Sequence, residues 1–185
     1  MIKRLRPKPT IEQMSLMYPV PHNHAIYGRG HQERVDATID LARRNLPTPV
    51  ISVADLSCGN AHIAQSLQPT QVYLGDFAVG YEYCGMIEDT ILEVPAVQVF
   101  ICSETLEHVS LPDELLYLIQ KRAAYLVLST PLECWDDTNA EHLWAWDREG
   151  VEEMLVRNRW HPKVFTSVDS REYGEPYLYG IWVCA

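Results

Sequence analysis

The chain lacks any apolar run long enough to cross a bilayer, which excludes a membrane-spanning helix from expectation. It also lacks a Cys-x-x-Cys pair. Its five cysteines (Cys58, Cys84, Cys102, Cys134 and Cys184) are odd in number and widely spaced. That pattern fits neither a disulfide framework nor a structural zinc site, and it points to a reducing, cytoplasmic setting. Positive charge is scarce: 15 Lys and Arg stand against 25 Asp and Glu, a formal charge of −10. A broad nucleic-acid surface must neutralise phosphates, so the balance disfavours one while leaving room for a local basic groove. Lys3, Arg4, Arg6 and Lys8 are the residues for such a groove, or else form a solvated tail. The opening MIKRLRPKPTIEQ is basic but has no apolar centre of the signal-peptide kind. Neither an internal repeat nor a low-complexity tract is found.

What remains suits one α/β domain. With 185 residues, 47% of them hydrophobic, the chain can bury a substantial core but not two comfortable ones. Short apolar, β-branched runs at 50–55, 71–76, 97–102, 124–131, 163–168 and 177–183 read as strands. Helical spacing appears at 31–45, 61–67, 115–121 and from the cap Asp147 to about Asn158, with a short helix expected near 81–86. Pro112, Asp113 and Glu114 suit the first turn of the 115–121 helix. Alternation of strand and helix predicts a parallel sheet with helices on both faces, and two strands arrive together at the end. Residues 1–31 have several prolines and little periodicity. Within them Tyr18, His22, His24, Tyr27, Gly28, Gly30 and His31 crowd into one segment, expected to be a lid or arm over the domain of residues 32–185.

The run from Val50 to Ala61 joins a buried strand to a helix through small residues, a geometry that brings backbone N–H groups to a ligand. Asp76 follows Asp55 by 21 positions and ends the next strand, close to where a dinucleotide-type fold puts its ribose-binding acid. The pattern Asp55-x-Ser57-x-Gly59-x-Ala61 resembles the nucleotide turn of class I S-adenosylmethionine-dependent methyltransferases, with Ser57 and Ala61 in place of two glycines. A nicotinamide dinucleotide is the rival cofactor for such a turn. The resemblance covers residues 32–185 and implies a Rossmann-like, mostly parallel seven-stranded sheet with a C-terminal antiparallel strand. It implies that Asp55, Ser57, Cys58, Gly59, Asn60, Ala61 and Ser103 surround the cofactor. Asp76 would hold the ribose, Phe77 would pack on the adenine, and Asp89, with Glu88, would sit near the adenine amino group.

After the strand at 97–102, Glu104, Glu107 and His108 share one face if the segment is helical. Two carboxylates and an imidazole there suit general acid–base work, with His108 and Glu104 as catalytic candidates, or a hard cation such as Mg²⁺ or Mn²⁺. Glu-x-x-Glu-His resembles two methyltransferase groups: the ubiquinone-biosynthesis O-methyltransferases and the small-RNA 3′-end 2′-O-methyltransferases. His142, after Ser129-Thr130-Pro131, stands where the second group has a further metal-binding histidine. Metal candidates are therefore Glu104, Glu107, His108 and His142. Trp135, Trp144 and Trp146 bracket this region as a possible stacking wall for an acceptor. The place after the strand lacks the Asp/Asn-Pro-Pro-aromatic tetrad of amino-methylating DNA enzymes. These features together imply methyl transfer to an oxygen or nitrogen of a small molecule. A non-catalytic binding module on the same scaffold and an Mg²⁺-dependent RNA 2′-O-methyltransferase are the alternatives.

Overall fold

A computed structural model describes residues 1–23 and 26–185, so His24 of the expected lid lies outside the described residues. Seven strands form one sheet in the order β4-β3-β2-β5-β6-β9-β8. They are β2 (Ser52–Asp55), β3 (Gln71–Asp76), β4 (Tyr83–Cys84), β5 (Val97–Ser103), β6 (Ala123–Leu132), β8 (Pro162–Asp169) and β9 (Leu178–Cys184). Neighbours from β4 through β6 pair in parallel, and β9 runs antiparallel between β6 and β8. This is the sheet that the resemblance implies. Helices α2 (Arg29–Asn45) and α3 (His62–Ser66) cover one face, and α4 (Ile87–Thr90), α5 (Pro112–Gln120) and α6 (Arg148–Arg157) cover the other.

Alternation along the central strands feeds both layers, because successive side chains leave a strand on opposite sides. Phe100 and Cys102 of β5 join Leu115, Leu116 and Met154 on one face, while Val99 and Ile101 join Val35, Ile39 and Ile63 on the other. Strands buried on both sides read as continuous apolar runs, which is why they are the clearest feature of the sequence.

Three expectations are corrected. The helix near 81–86 is absent; β4 pairs there with β3 for two residues and the helical turn comes later, at α4. Residues 104–108 form no continuous helix. Glu104 adopts a left-handed backbone (φ 52°) and only Leu106–His108 make a 3₁₀ turn. The basic N-terminus is neither a free tail nor an open groove. Strand β1 (Ile2–Arg4) pairs antiparallel with β7 (Trp144–Trp146) as a separate two-stranded sheet. Lys3 donates to the Trp135 carbonyl, Arg6 to that of Asp137, and Lys8 pairs with Glu88 at 2.6 Å. The Met1 ammonium meets Asp147, which also caps α6 through the Gly150 amide.

Helix α1 (Ile11–Met17) begins with a Thr10–Gln13 capping box and buries none of its residues. Helix α2 has no side-chain cap of its own. Glu175, from the β8–β9 connection, accepts from the Gly30 and His31 amides at 2.7 and 3.0 Å, placing a carboxylate at the positive end of the helix. Gly30 permits this approach, since a Cβ there would lie 2.3 Å from that of Ser170. In urea unfolding, Gly30→Ala should lose about 1–3 kcal/mol to overpacking, although alanine is the better helix former by about 1 kcal/mol. A variant as stable as the parent would show that the connection yields without cost.

Candidate active site

The strand order reverses between β2 and β5, and in open α/β sheets ligands bind at the carboxyl ends of strands at such a switch point. A cavity of about 580 Å³ opens there. Ser57, after β2, and Thr105, after β5, meet across it with their hydroxyls 2.6 Å apart. The turn after β2 is built from left-handed residues, Gly59 (φ 53°) and Ala61 (φ 60°), the second at the N-cap of α3. Its amides lie outside the strand ladder and need acceptors of their own. Asp76 supplies one: its two carboxylate oxygens accept from Gly59 N–H at 2.9 Å and Ala78 N–H at 3.0 Å. The Cys58 amide donates to Gly75, closing the turn against β3.

Of the expected cofactor residues, Ser57, Gly59, Asp76, Phe77 and Ser103 line the cavity. Asp55, Cys58 and Ala61 are buried behind the turn and do not line it, and Asn60 is exposed, bonded to Asn23 at 3.1 Å. Asp89 is exposed and outside the cavity; its neighbour Glu88 lines it instead, because the turn at α4 aims only one of the two inward. Burial pushes the Asp55 carboxyl up to about 7, partly opposed by the Ser57 amide.

The opposite wall holds the candidate chemistry. Glu104, in its left-handed turn, takes a hydrogen bond from Ser129 at 3.1 Å. Behind it lies Arg34, fully buried on α2, whose Nη1 donates to Ser103 at 2.6 Å and Ser129 at 3.0 Å. Burial raises the Glu104 carboxyl against the opposing pull of Arg34. Glu107 accepts from Thr130 through Oε2 at 3.0 Å, while its Oε1 is buried without a hydrogen-bond partner among the described residues. Burial and then the charge of Glu104 push Glu107 up to about 8.

The His108 ring lies in the cavity with Nδ1 3.1 Å from the Glu141 carbonyl. A carbonyl only accepts, so Nδ1 carries the proton and Nε2 is left as an acceptor, 3.7 Å from Glu107 Oε1. Burial, then His142, pulls His108 down to about 3, making it a neutral and weak base. His142 sits edge-on at 4.9 Å, its Nδ1 2.6 Å from Asp137. Burial lowers its affinity for a proton, but the Asp137 hydrogen bond and Glu107 together raise it.

Glu107, His108 and His142 can each turn one donor atom into a group within 4.8 Å, which Glu104 does not join. The expected four-residue set is thus corrected to three, because Glu104 faces Ser129. Two imidazoles and one carboxylate, each ring held by an acceptor on its far side, suit a first-row transition ion better than Mg²⁺.

The tryptophan wall is not found. Trp146 is fully buried and donates to Thr130, Trp144 donates to the Val109 carbonyl, and Trp135 lines a separate depression. Rings of another kind cover the cavity: Phe77, Tyr18, His22, Tyr27 and His31 follow one another at centroid separations of 4.6–6.0 Å. Tyr18 donates to Glu141 at 2.6 Å, and Tyr177 and Tyr179 line the far side. Arg34, Glu141, Glu175 and these last two tyrosines carry no sequence signal, since they join the site only through long-range pairing.

No family model and no curated protein sequence matches the chain. Solved structures do. The cyclase SpnF aligns with a TM-score of 0.70 at 14% identity over 96% of each chain. The 1,6-didemethyltoxoflavin-N1-methyltransferase of Burkholderia thailandensis, bound to S-adenosylhomocysteine, aligns at 0.67 and 12% identity over 99% of this chain and 93% of that one. The chain has the class I methyltransferase fold. Magnesium protoporphyrin IX methyltransferase from Synechocystis, also holding S-adenosylhomocysteine, aligns at 0.63 and 17% identity over 84% and 83%.

The methyltransferase fold here carries a titration of its own. Asp55, near 7 when folded, lies above its ordinary unfolded value of ~3.9, so its contribution to stability is complete below that value and is lost as pH rises through 7. Thermal unfolding should therefore find Asp55→Asn gaining on the parent between pH 5 and pH 8, by a free energy on the order of 2–4 kcal/mol. A difference that does not change with pH would mean that the carboxylate is solvated.

Proposed function

We propose that the chain is an S-adenosylmethionine-dependent methyltransferase acting on an oxygen or nitrogen of a small molecule. The observation that carries this reading is the cavity at the switch point, with Asp76 on one wall and Glu107–His108 on the other. The residues fit the cofactor. Asp76 is fixed by two amides, which leaves each oxygen a further lone pair for a vicinal diol, and Phe77 presents an apolar ring beside it. The cofactor, when bound, supplies a methyl group on a positively charged sulfonium. The protein's own tasks are alignment, exclusion of water and removal of the acceptor's proton. The arm of residues 1–31 acts as a lid, with Tyr18, His22 and Tyr27 forming its inner face. Glu107 and the open Nε2 of His108 receive the proton, and Glu107, near 8, is the better matched to neutral pH. An RNA acceptor is disfavoured, because the described lining carries six carboxylates against one lysine.

Calorimetry with S-adenosylhomocysteine should show saturable binding, weakened by Asp76→Ala about 10- to 100-fold, as for a hydrogen bond to a charged group. No heat from folded protein would leave a binding module on the same scaffold.

A second reading gives Glu107, His108 and His142 to a divalent cation, and their convergence favours it. In that case Mn²⁺ should bind saturably by calorimetry, and Glu107→Gln should abolish the signal. Equal binding by parent and variant would remove the reading.

A further inference from the structure

Sorting the charges around the cavity leaves a residue that the mechanism above does not use. Lys8 neutralises Glu88 at 2.6 Å, and His142 pairs with Asp137. Arg34 faces Glu104 through the shared hydroxyl of Ser129. Asp76 is satisfied by the amides of Gly59 and Ala78, and Glu175 by those that open α2. Among the described residues, two carboxylates remain without a counter-charge of their own: Glu141, and Glu107, whose basic neighbours are His108, held neutral, and His142, already paired with Asp137. Glu107 is 1% exposed with Oε1 unpartnered among the described residues, and Glu141 meets only the neutral hydroxyl of Tyr18. Both line the cavity, and the Glu141 carbonyl accepts from the ring of His108, the next residue after Glu107. The Tyr18 hydroxyl feels Glu141, Glu107 and Asp76 in addition to its burial, and its proton is held well above the ordinary tyrosine range.

We propose that the methyl acceptor carries a protonated amine, held by Glu107 and Glu141, with its body against Tyr18 and Tyr177. The proposal rests on the methyl-transfer reading and names the substrate class for the same site. An ammonium brings three donors and one positive charge, which a neutral hydroxyl cannot match. It satisfies the orphan Oε1 of Glu107 and offsets the cost of burying that group. The tyrosine faces add cation–π attraction. A carboxylate in the same place meets the charge of Glu141 and has no proton to donate to the orphan Oε1 of Glu107, so it is disfavoured.

Two probes of equal shape and opposite charge test this: tyramine and 3-(4-hydroxyphenyl)propionate, titrated by calorimetry with and without saturating S-adenosylhomocysteine. Tyramine should bind tighter by roughly tenfold or more, and Glu141→Gln should cut the preference to roughly threefold or less. Glu141 is half-exposed, so that variant keeps the test readable if Glu107→Gln fails to fold. Equal binding of the two probes, no saturable binding of either, or a preference that survives both substitutions would overturn the proposal. So would Mn²⁺ that binds through Glu107 and excludes tyramine. If S-adenosylhomocysteine gives no heat while tyramine still discriminates, the methyl-transfer reading falls and the cation subsite stands.

Discussion

Two amides, those of Gly59 and Ala78, meet the two oxygens of Asp76, and the shape of the cavity follows from that meeting. Parallel strands end in turns whose N–H groups have lost their ladder partners. The turn after β2 shows this, for its amides go to three different acceptors: Cys58 to Gly75, Gly59 to Asp76 and Ala61 back to Cys58. One carboxylate at the end of β3 satisfies one amide from each of two turns and joins them into a rigid lip. The hydroxyl pair Ser57–Thr105 ties this lip to the end of β5. The floor of the site is therefore held by contacts within the chain itself.

The N-terminal arm shows where reading from sequence stops. The strands of the main sheet were legible because burial on both faces writes itself as an unbroken apolar run, as in residues 97–102. The helix from Pro112 was legible from its proline, acids and apolar stripe. The three-residue strands β1 and β7 were not, because their pairing partners lie more than a hundred positions apart and neither is periodic enough to register alone. Trp144 and Trp146 looked like a ligand wall from their clustering, yet β7 turns one indole into the core and the other onto the Val109 carbonyl. Glu104 departed from helical spacing for a local reason: its amide is drawn to the Ser129 carbonyl at 2.9 Å, which continues the sheet by one bond and forces the left-handed turn. Asp76 ends β3, as its spacing suggested, whereas Glu107 and His108 reach the cavity from a 3₁₀ turn and not from a helix face shared with Glu104.

Arg34 illustrates a different kind of illegibility. On α2 it looks like one more charged position in a polar helix, yet it is fully buried beneath Ser103, Ser129 and the ring of Tyr179. A guanidinium in that place is tolerated because two hydroxyls accept from its Nη1 and Glu104 lies just beyond them, while its Nε has no hydrogen-bond partner among the described residues. Its Nη2 also lies 3.2 Å from Nε2 of His31, and since a guanidinium only donates, that nitrogen of the ring must accept. The second wall of the cavity is thus held by a chain of polar groups running from His31 through Arg34 to Ser129 and Glu104.

The position of β9 has a consequence for synthesis. It is inserted between β6 and β8, so β8 leaves the ribosome with no strand to pair with, and the edge of β6 stays open, until residues 178–184 follow. During that interval two long hydrogen-bonding edges are exposed to other chains. Folding of the sheet cannot run in step with translation, and the nascent chain spends its vulnerable period waiting for β9. Conditions that slow elongation between the codons for residues 169 and 184 should therefore cost this protein more yield than an equal delay over the first strands.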